Sequence, residues 1–312
     1  MMQRTYHKNV FLAERVCGIC SVVHTSVFCD TVEKLFGVKL PERAAYLRVI
    51  NLELERLHSH TLWLSLMAHA AGYHEGLLST LKGREVVMEL QEIVSGNRVN
   101  CATNVIGGAK KDLTEKKIRA IKERMPELKN LCEHVFGWLR DGGPVAPHIE
   151  GVGILETKKA ISFGAVGPVA RGSGVKQDVR LVDPYAAYKE LDFQICVEDG
   201  CDVLARTRVR AREIVESVRL IERALEDLPD TPIRAELPPP FPGEWVGRIE
   251  APRGELVYYI RSDGSMIPER VKIRTPTFAN MPPLRQMLVG EKEENVQKVI
   301  ESIDPCISCT DR

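Results

Sequence analysis

Four cysteines carry the strongest chemical signal in the sequence. Cys17 and Cys20 stand in Arg15-Val-Cys-Gly-Ile-Cys20, and Cys306 and Cys309 stand in Asp304-Pro-Cys-Ile-Ser-Cys309. Each pair is a C-x-x-C, the spacing that lets two thiolates from one turn grip the same soft metal. Pairs ~15–20 residues apart would read as structural zinc, but here 285 residues separate Cys20 from Cys306. Local zinc sites substitute for a core that a short chain cannot build, and this chain is long. Zinc therefore stays a rival, iron–sulfur ligation fits the same arithmetic, and disulfide pairing fits least well. Chain ends fray unless tied down, so both ends must be drawn inside and fixed side by side. Gly18 is expected to let the backbone approach a bulky centre. His24, four residues after Cys20, is expected to place its ring over that thiolate as a hydrogen-bond donor. Pro305 fixes the backbone before Cys306, and Asp304 is expected to cap the terminal turn.

The other candidates are weaker. Cys29, Cys101, Cys132, Cys196 and Cys201 form no compact motif, so no iron–sulfur cluster is expected in this chain, and electrons would leave through a partner. Nine cysteines in 312 residues are too sparse for a disulfide scaffold and indicate reduced, intracellular thiols. His58, His60, His69 and His74 do not form H-E-x-x-H and read as packing or interface residues. The stretch from Gly164 to Gly174 lacks both G-K-[ST] and G-x-G-x-x-G, which leaves nucleotide binding unsupported. Arg206, Arg208, Arg210 and Arg212 point in different directions around a helix and suggest a solvated or interface face. Lys+Arg 43 against Asp+Glu 43 gives no electrostatic case for nucleic acid. No run approaches the ~20 apolar residues of a membrane span, and no signal peptide is evident. Any membrane contact is expected to come through partners.

These residues must be positioned by a mostly helical body. Helical spacing after Cys20 puts the first pair on the turn that opens a helix. One long apolar pattern runs from Pro41 to Ala71, a second helix covers Glu75 to Val94, and a charged helix runs from Thr114 to about Leu139. Pro126 is expected to kink or split the third. Residues 141–184, rich in glycine, read as loops and short strands. A helix from about Gly200 to Leu228 carries a packed seam through Ile214, Val218, Ile221 and Leu225. Pro238 to Pro242 reads as an extended linker, followed by strands at Glu255–Arg261 and Glu269–Arg274 and a short helix at Glu293–Ile303. The expected fold is mainly α with a small β element (α+β), one domain over 1–312. Its helical body spans about 9–236, and its β element and terminal motif about 243–312.

Arg15-Val-Cys-Gly-Ile-Cys-Ser-Val-Val-His24 and Asp304-Pro-Cys-Ile-Ser-Cys-Thr-Asp-Arg312 resemble the two signature motifs of the large subunit of [NiFe]-hydrogenases. Gly167-Pro-Val-Ala-Arg-Gly-Ser-Gly174, Asp178-Val-Arg180, Asp183-Pro-Tyr-Ala-Ala-Tyr188 and Asn51-Leu-Glu-Leu-Glu-Arg-Leu-His-Ser-His60 resemble its energy-converting, membrane-bound branch. That branch is related to the large catalytic-arm subunit of NADH:quinone oxidoreductase, whose members lack the metal-binding cysteines. The resemblance covers essentially the whole chain and implies a multihelical hydrogenase large-subunit fold. It further implies terminal nickel thiolates at Cys17 and Cys306, and thiolates bridging nickel to an iron with cyanide and carbon monoxide at Cys20 and Cys309. Heterolytic cleavage of hydrogen is implied, with Cys306 as the base and the Arg253 guanidinium of Glu250-Ala-Pro-Arg-Gly-Glu-Leu256 over the open site. Pro252, Pro276 and Thr277 would form the pocket around the diatomic ligands. Implied partners are a small subunit with a [4Fe–4S] cluster, membrane ion-translocating subunits and, indirectly, ferredoxin, on the cytoplasmic face of the membrane. The alternative is a quinone-oxidoreductase-like scaffold whose cysteines hold zinc or nothing. The family's region before the first motif, with its proton-relay glutamate, has no counterpart ahead of Cys17. The family's terminal histidine is replaced by Arg312, so magnesium is not expected.

Overall fold

The computed structural model describes residues 1–311, and the position of Arg312 lies outside them. The chain opens with α1 (Tyr6–Glu14), α2 (Ser21–Leu35), α3 (Glu42–Ala70) and α4 (His74–Ser95). Pro41 sits at the N-cap of α3, and Gly72, at φ +82°, follows its C-cap. These are positions where a missing N–H and a left-handed backbone are tolerated. α3 is 29 residues long, about 43 Å at 1.5 Å per residue. It is buried on nearly every side, because α4 and, later, α10 pack along it.

A short antiparallel pair, β1 (Asn104–Val105) and β2 (Gly108–Ala109), leads to α5 (Glu115–Leu139). α5 continues through Pro126, so the helix is not split there. Pro126 lies on its exposed face, where carbonyls freed by a missing N–H can bind water. Residues 141–184 hold no strand among the described residues. Instead they form the short helices α6 (Ala146–Ile149), α7 (Thr157–Ser162), α8 (Gly167–Arg171) and α9 (Val179–Val182). α10 (Val203–Glu226) then packs on α3 and α5, burying Ile214, Val218, Ile221 and Leu225 as the seam predicted.

Two arginines on α10 overturn the expected solvated face. Arg206 and Arg210 are fully buried, while Arg208 and Arg212 reach the surface. Arg206 Nη2 donates to the Gly153 carbonyl (2.7 Å), and Arg210 Nη2 donates to the Ser302 carbonyl (3.1 Å). Arg210 also lies over the Trp63 ring, 4.0 Å from its centroid. A buried guanidinium is tolerable when carbonyls and π-faces replace its water.

The β element is a three-stranded antiparallel sheet: β3 (Pro242–Ala251), β4 (Gly254–Asp263) and β5 (Arg270–Arg274). β3 was not expected, and Pro242 opens it instead of closing a linker. Ala251 pairs with Gly254, so Pro252 and Arg253 alone make the turn of a tight hairpin. The sheet packs on α2. The chain closes through α11 (Pro276–Leu288), a 3-10 turn at Glu293–Asn295, α12 (Val296–Ser302) and α13 (Ile307–Thr310). α12 rests on α3 and α10, which brings the second cysteine pair back to the first. No helix is long and apolar enough to cross a membrane among the described residues.

Candidate metal centre

Cys20 is the N-cap residue of α2, as expected for a pair on the turn that opens a helix, yet its side chain makes no capping bond. The cap comes from α3: Glu55 accepts the N–H groups of Val22 (2.5 Å) and Val23 (2.8 Å). Cys306 is likewise the N-cap of α13. Its N–H donates to Thr277 Oγ1 (3.2 Å), and Thr275 Oγ1 donates to the Cys309 carbonyl (2.6 Å). Both pairs thus sit at helix starts, where backbone N–H groups favour negative charge.

The two ends meet sulfur to sulfur. Cys17 Sγ lies 3.6 Å from Cys306 Sγ, and Cys20 Sγ lies 3.6 Å from Cys309 Sγ. All four cysteines are buried. Cys17, Cys306 and Cys309 form one triad with donor atoms within 4.8 Å of each other; Cys20, His24 and Cys309 form another. Cys309 belongs to both, so the donor set accommodates one ion or two that share a sulfur. Tetrahedral thiolates at ~2.3 Å from a metal stand about 3.8 Å apart, so the spacing fits a soft cation.

Charge supports the same conclusion. Hydrogen bonds from Cys17, Cys20 and Cys309 hold the Cys306 thiol far below the usual thiol range. A hydrogen bond with Cys20 also pulls Cys17 down. Cys20 and Cys309 move the opposite way, chiefly because each shares a hydrogen bond with Cys17. Adjacent thiolates repel in a buried site, so the cluster by itself gives up part of its protons, and a metal ion would take the rest.

Arg253, at the hairpin tip, reaches this cluster. It is buried, with Nε donating to the Asp304 carbonyl (2.8 Å), Nη2 to Asp304 Oδ1 (2.8 Å) and Nη1 to Ser59 Oγ (3.3 Å). Burial opposes its charge, but Asp304 and the neighbouring cysteines raise its pKa. Asp304 therefore anchors the arginine and does not cap the terminal turn. Arg56 holds the strand behind the tip, donating to the carbonyls of Glu250 (2.8 Å) and Ala251 (3.4 Å). Arg171 Nη1 binds Glu250 Oε1 at 2.8 Å, and Gly167 lies flat against Arg253 and Gly254.

The remaining predicted residues divide. His24 Nε2 approaches Cys309 Sγ (3.8 Å), and His24 Nδ1 shares a hydrogen bond with the Tyr258 hydroxyl (2.7 Å). Pro252, Pro276, His24 and Arg253 line a small cavity of about 10 Å³ against Cys20 and Cys309, large enough for about one water-sized group. Thr277 is absent from that lining and instead braces Cys306. Pro276 and Thr277 open α11. A Cβ on Gly18 would meet nothing within 4 Å, so no close approach requires that glycine. Glu55, Ser59, Tyr258 and the anchoring by Asp304 escaped the sequence reading. Glu55 and Ser59 stand in the family-like stretch Asn51–His60 and Asp304 in the second cysteine motif, but no spacing there assigns them these contacts.

A family model described as "Respiratory-chain NADH dehydrogenase, 49 Kd subunit" matches residues 71–240 and 236–312. One described as "Nickel-dependent hydrogenase" matches residues 1–73. This chain belongs to the family that unites the large subunits of energy-converting [NiFe]-hydrogenases with that dehydrogenase subunit. Among its relatives, the membrane-bound hydrogenase subunit alpha of Pyrococcus furiosus is 40% identical over 100% of this chain and 77% of its own length. The carbon monoxide-induced hydrogenase of Rhodospirillum rubrum is 38% identical over 99% of this chain and 86% of its own. A chain from the solved archaeal membrane-bound sulfane sulfur reductase superposes with a TM-score of 0.93 at 31% identity, covering 100% of this chain and 86% of that one.

Proposed function

We propose that this chain is the catalytic large subunit of an energy-converting [NiFe]-hydrogenase, interconverting H2 with two protons and two electrons. The observation that carries the reading is the convergence of four buried cysteine sulfurs beneath an anchored arginine. Cys17, Cys20, Cys306 and Cys309 would together hold the nickel and iron. Bound there, the metal pair would supply a redox-active Lewis acid for polarising H2. The chain's own residues do the rest. Cys306, held as a thiolate by its neighbouring thiols, would be the group that accepts the proton, as the family resemblance implies. Arg253 presents fixed positive charge beside the cluster. The apolar walls of Val23, Ala251, Pro252, Leu256 and Pro276 line the water-sized space beside Cys20 and Cys309, on the side where small diatomic ligands, cyanide and carbon monoxide, would lie.

Electrons would be exchanged with an iron–sulfur small subunit and, indirectly, with ferredoxin. Docking on membrane ion-translocating subunits at the cytoplasmic face is supported by the membrane-bound relatives. A second reading has its own support: four thiolates also suit zinc, and the family model matching most of the chain is that of a dehydrogenase subunit. That reading is a non-hydrogenase scaffold with a zinc-filled or empty cysteine site. Infrared spectra and metal analysis of the purified complex separate them. Cyanide and carbonyl stretches with nickel are expected; zinc without nickel and without those bands defeats the hydrogenase reading.

A further inference from the structure

The mechanism above leaves the proton on the cysteine cluster, and one buried carboxyl beside the first motif has no part in it. Glu55 projects from α3 onto the start of α2 with no solvent exposure to speak of. Oε1 accepts the Val22 N–H (2.5 Å) and lies 3.4 Å from Ser21 Oγ; Oε2 accepts the Val23 N–H (2.8 Å). Ser21 Oγ is also 3.2 Å from the Val99 carbonyl.

A hydroxyl has one hydrogen to donate, and here it faces two acceptors. With Glu55 ionised, Ser21 serves the carboxylate or the carbonyl, but not both. With Glu55 protonated, the carboxyl donates to Ser21 Oγ and Ser21 donates to Val99, and every contact is made. The arrangement is a two-position proton switch one residue away from Cys20. We propose that Glu55 is the first proton carrier beyond the cysteine cluster, exchanging protons with the surface loop at 97–103 through the Ser21 hydroxyl. The inference rests on the hydrogenase reading.

Burial raises the Glu55 pKa to about 8, against the opposing pull of the Val22 and Val23 N–H groups, so it can hold or release a proton near neutrality. The charge of Cys17 reaches it and adds to the rise. Outward, an S–H bond at a cluster thiol breaks and an O–H bond forms at Glu55, leaving a thiolate. Glu55 then gives that proton to Ser21 Oγ as Ser21 gives its own to a solvent water at the 97–103 loop, which carries it away as hydronium. The two electrons of each H2 leave through the iron–sulfur partner, so charge balances without another oxidant. Val99 is exposed. Further along the same loop, buried Glu14 accepts the Ala102 N–H (2.7 Å) and lines a cavity of about 180 Å³ with His7 and Lys110, an outer end for the route.

The rival is that Glu55 merely caps α2. In the purified complex, wild type, Glu55→Gln and Ser21→Ala are compared for nickel, cyanide and carbonyl bands, and D2/H2O exchange relative to para-to-ortho H2 conversion. Conversion needs cleavage alone, whereas exchange needs the proton to leave. Both variants are expected to keep the metal centre while that ratio falls about 100-fold, within the range of general acid–base effects. Wild type is expected to show the C=O stretch of a protonated carboxyl at pH 7, lost in Glu55→Gln. A wild-type ratio in a metal-replete Glu55→Gln overturns the relay. If Glu55→Gln fails to assemble, a wild-type ratio in Ser21→Ala, or no carboxyl band in wild type, overturns it. Absence of cyanide and carbonyl bands from wild type fells the hydrogenase reading itself, which distinguishes the two failures.

Discussion

Arg253 and Asp304 are bound at two points, Nε to the carbonyl and Nη2 to Oδ1, both at 2.8 Å. The hairpin tip and the second cysteine motif therefore move as one body. Lysine keeps the charge but cannot make both contacts. Arg253→Lys is expected to retain nickel and lose at least about tenfold in hydrogen uptake, the equivalent of ~1.4 kcal/mol of lost charge-assisted bonding. Asp304 has a φ of +54°, which asparagine tolerates, so Asp304→Asn tests the charge without straining the backbone. It leaves a buried guanidinium underpaired, and unfolding free energy should fall by about 3 kcal/mol. Uptake assays, metal analysis and denaturation check both.

Removing the metal should expose the cysteines to one another. With Cys17 and Cys306 sulfurs 3.6 Å apart and Cys20 and Cys309 equally close, mild oxidation of the metal-free chain by diamide takes two hydrogens from a pair and forms a disulfide. Peptide mapping without reductant is expected to recover the 17–20 segment linked to the 306–309 segment. Metal-loaded protein should resist. Free thiols at all four positions after treatment of the metal-free chain would contradict the geometry.

Gly167 is a steric requirement of the hairpin tip. A Cβ there would lie 2.4 Å from Gly254 Cα and 2.5 Å from the Arg253 carbonyl oxygen, at a φ of +64°. Gly167→Ala must push Arg253 away or unseat α8. A stability loss of about 2–4 kcal/mol is expected, with activity falling further than stability alone explains. A variant with unchanged melting and uptake would show that the tip is not held there.

His58 gives a pH signature. Burial, helped by Arg84 and Arg253, lowers its pKa to about 3, below the ~6.5 of an unfolded histidine. Its ring stays neutral in the fold while the unfolded chain takes up the proton. Its stabilisation is therefore complete above about pH 6.5 and is lost on acidification from there toward pH 3, by about 1.4 kcal/mol per pH unit. His58→Gln keeps an acceptor for Arg84 and removes the titration. Relative to that variant, wild type should lose about 1 kcal/mol between pH 6.5 and 5.5 in denaturant melts.

The long helices were legible because each carries enough turns for its periodicity to show: α3, α4 and α10 fall within a few residues of their expected limits. α6 to α9, with four to six residues each, are too short for any period. β3 was hidden because its first half faces outward, leaving Trp245 and Val246 exposed and breaking the alternation. Gly247 further masks it, and packing demands that glycine: a Cβ would fall 2.1 Å from Thr31 Oγ1. α11 carries Pro276 at its first turn and Pro282 and Pro283 inside, a composition that argues against helix. At the centre, the cysteine pairs announced themselves by spacing alone. Glu55 and Ser59 lie within a helix whose burial all round erases any polar face, so nothing in the sequence separated them from the other polar residues of α3. Arg206 and Arg210 were misjudged for the same reason, since their water is replaced by carbonyls and a ring that come from distant segments.

Cys17 and Cys306 are 289 positions apart in sequence, and a metal held between them would tie all the residues between them into a ring. Closing so large a loop removes more freedom from the unfolded chain than closing a small one. Such a clasp would therefore act on the entire fold at once. A nascent chain halted at any point before the second pair would display half a binding site, with no partner thiols to complete it. Metal occupancy would then report that synthesis had passed Cys309.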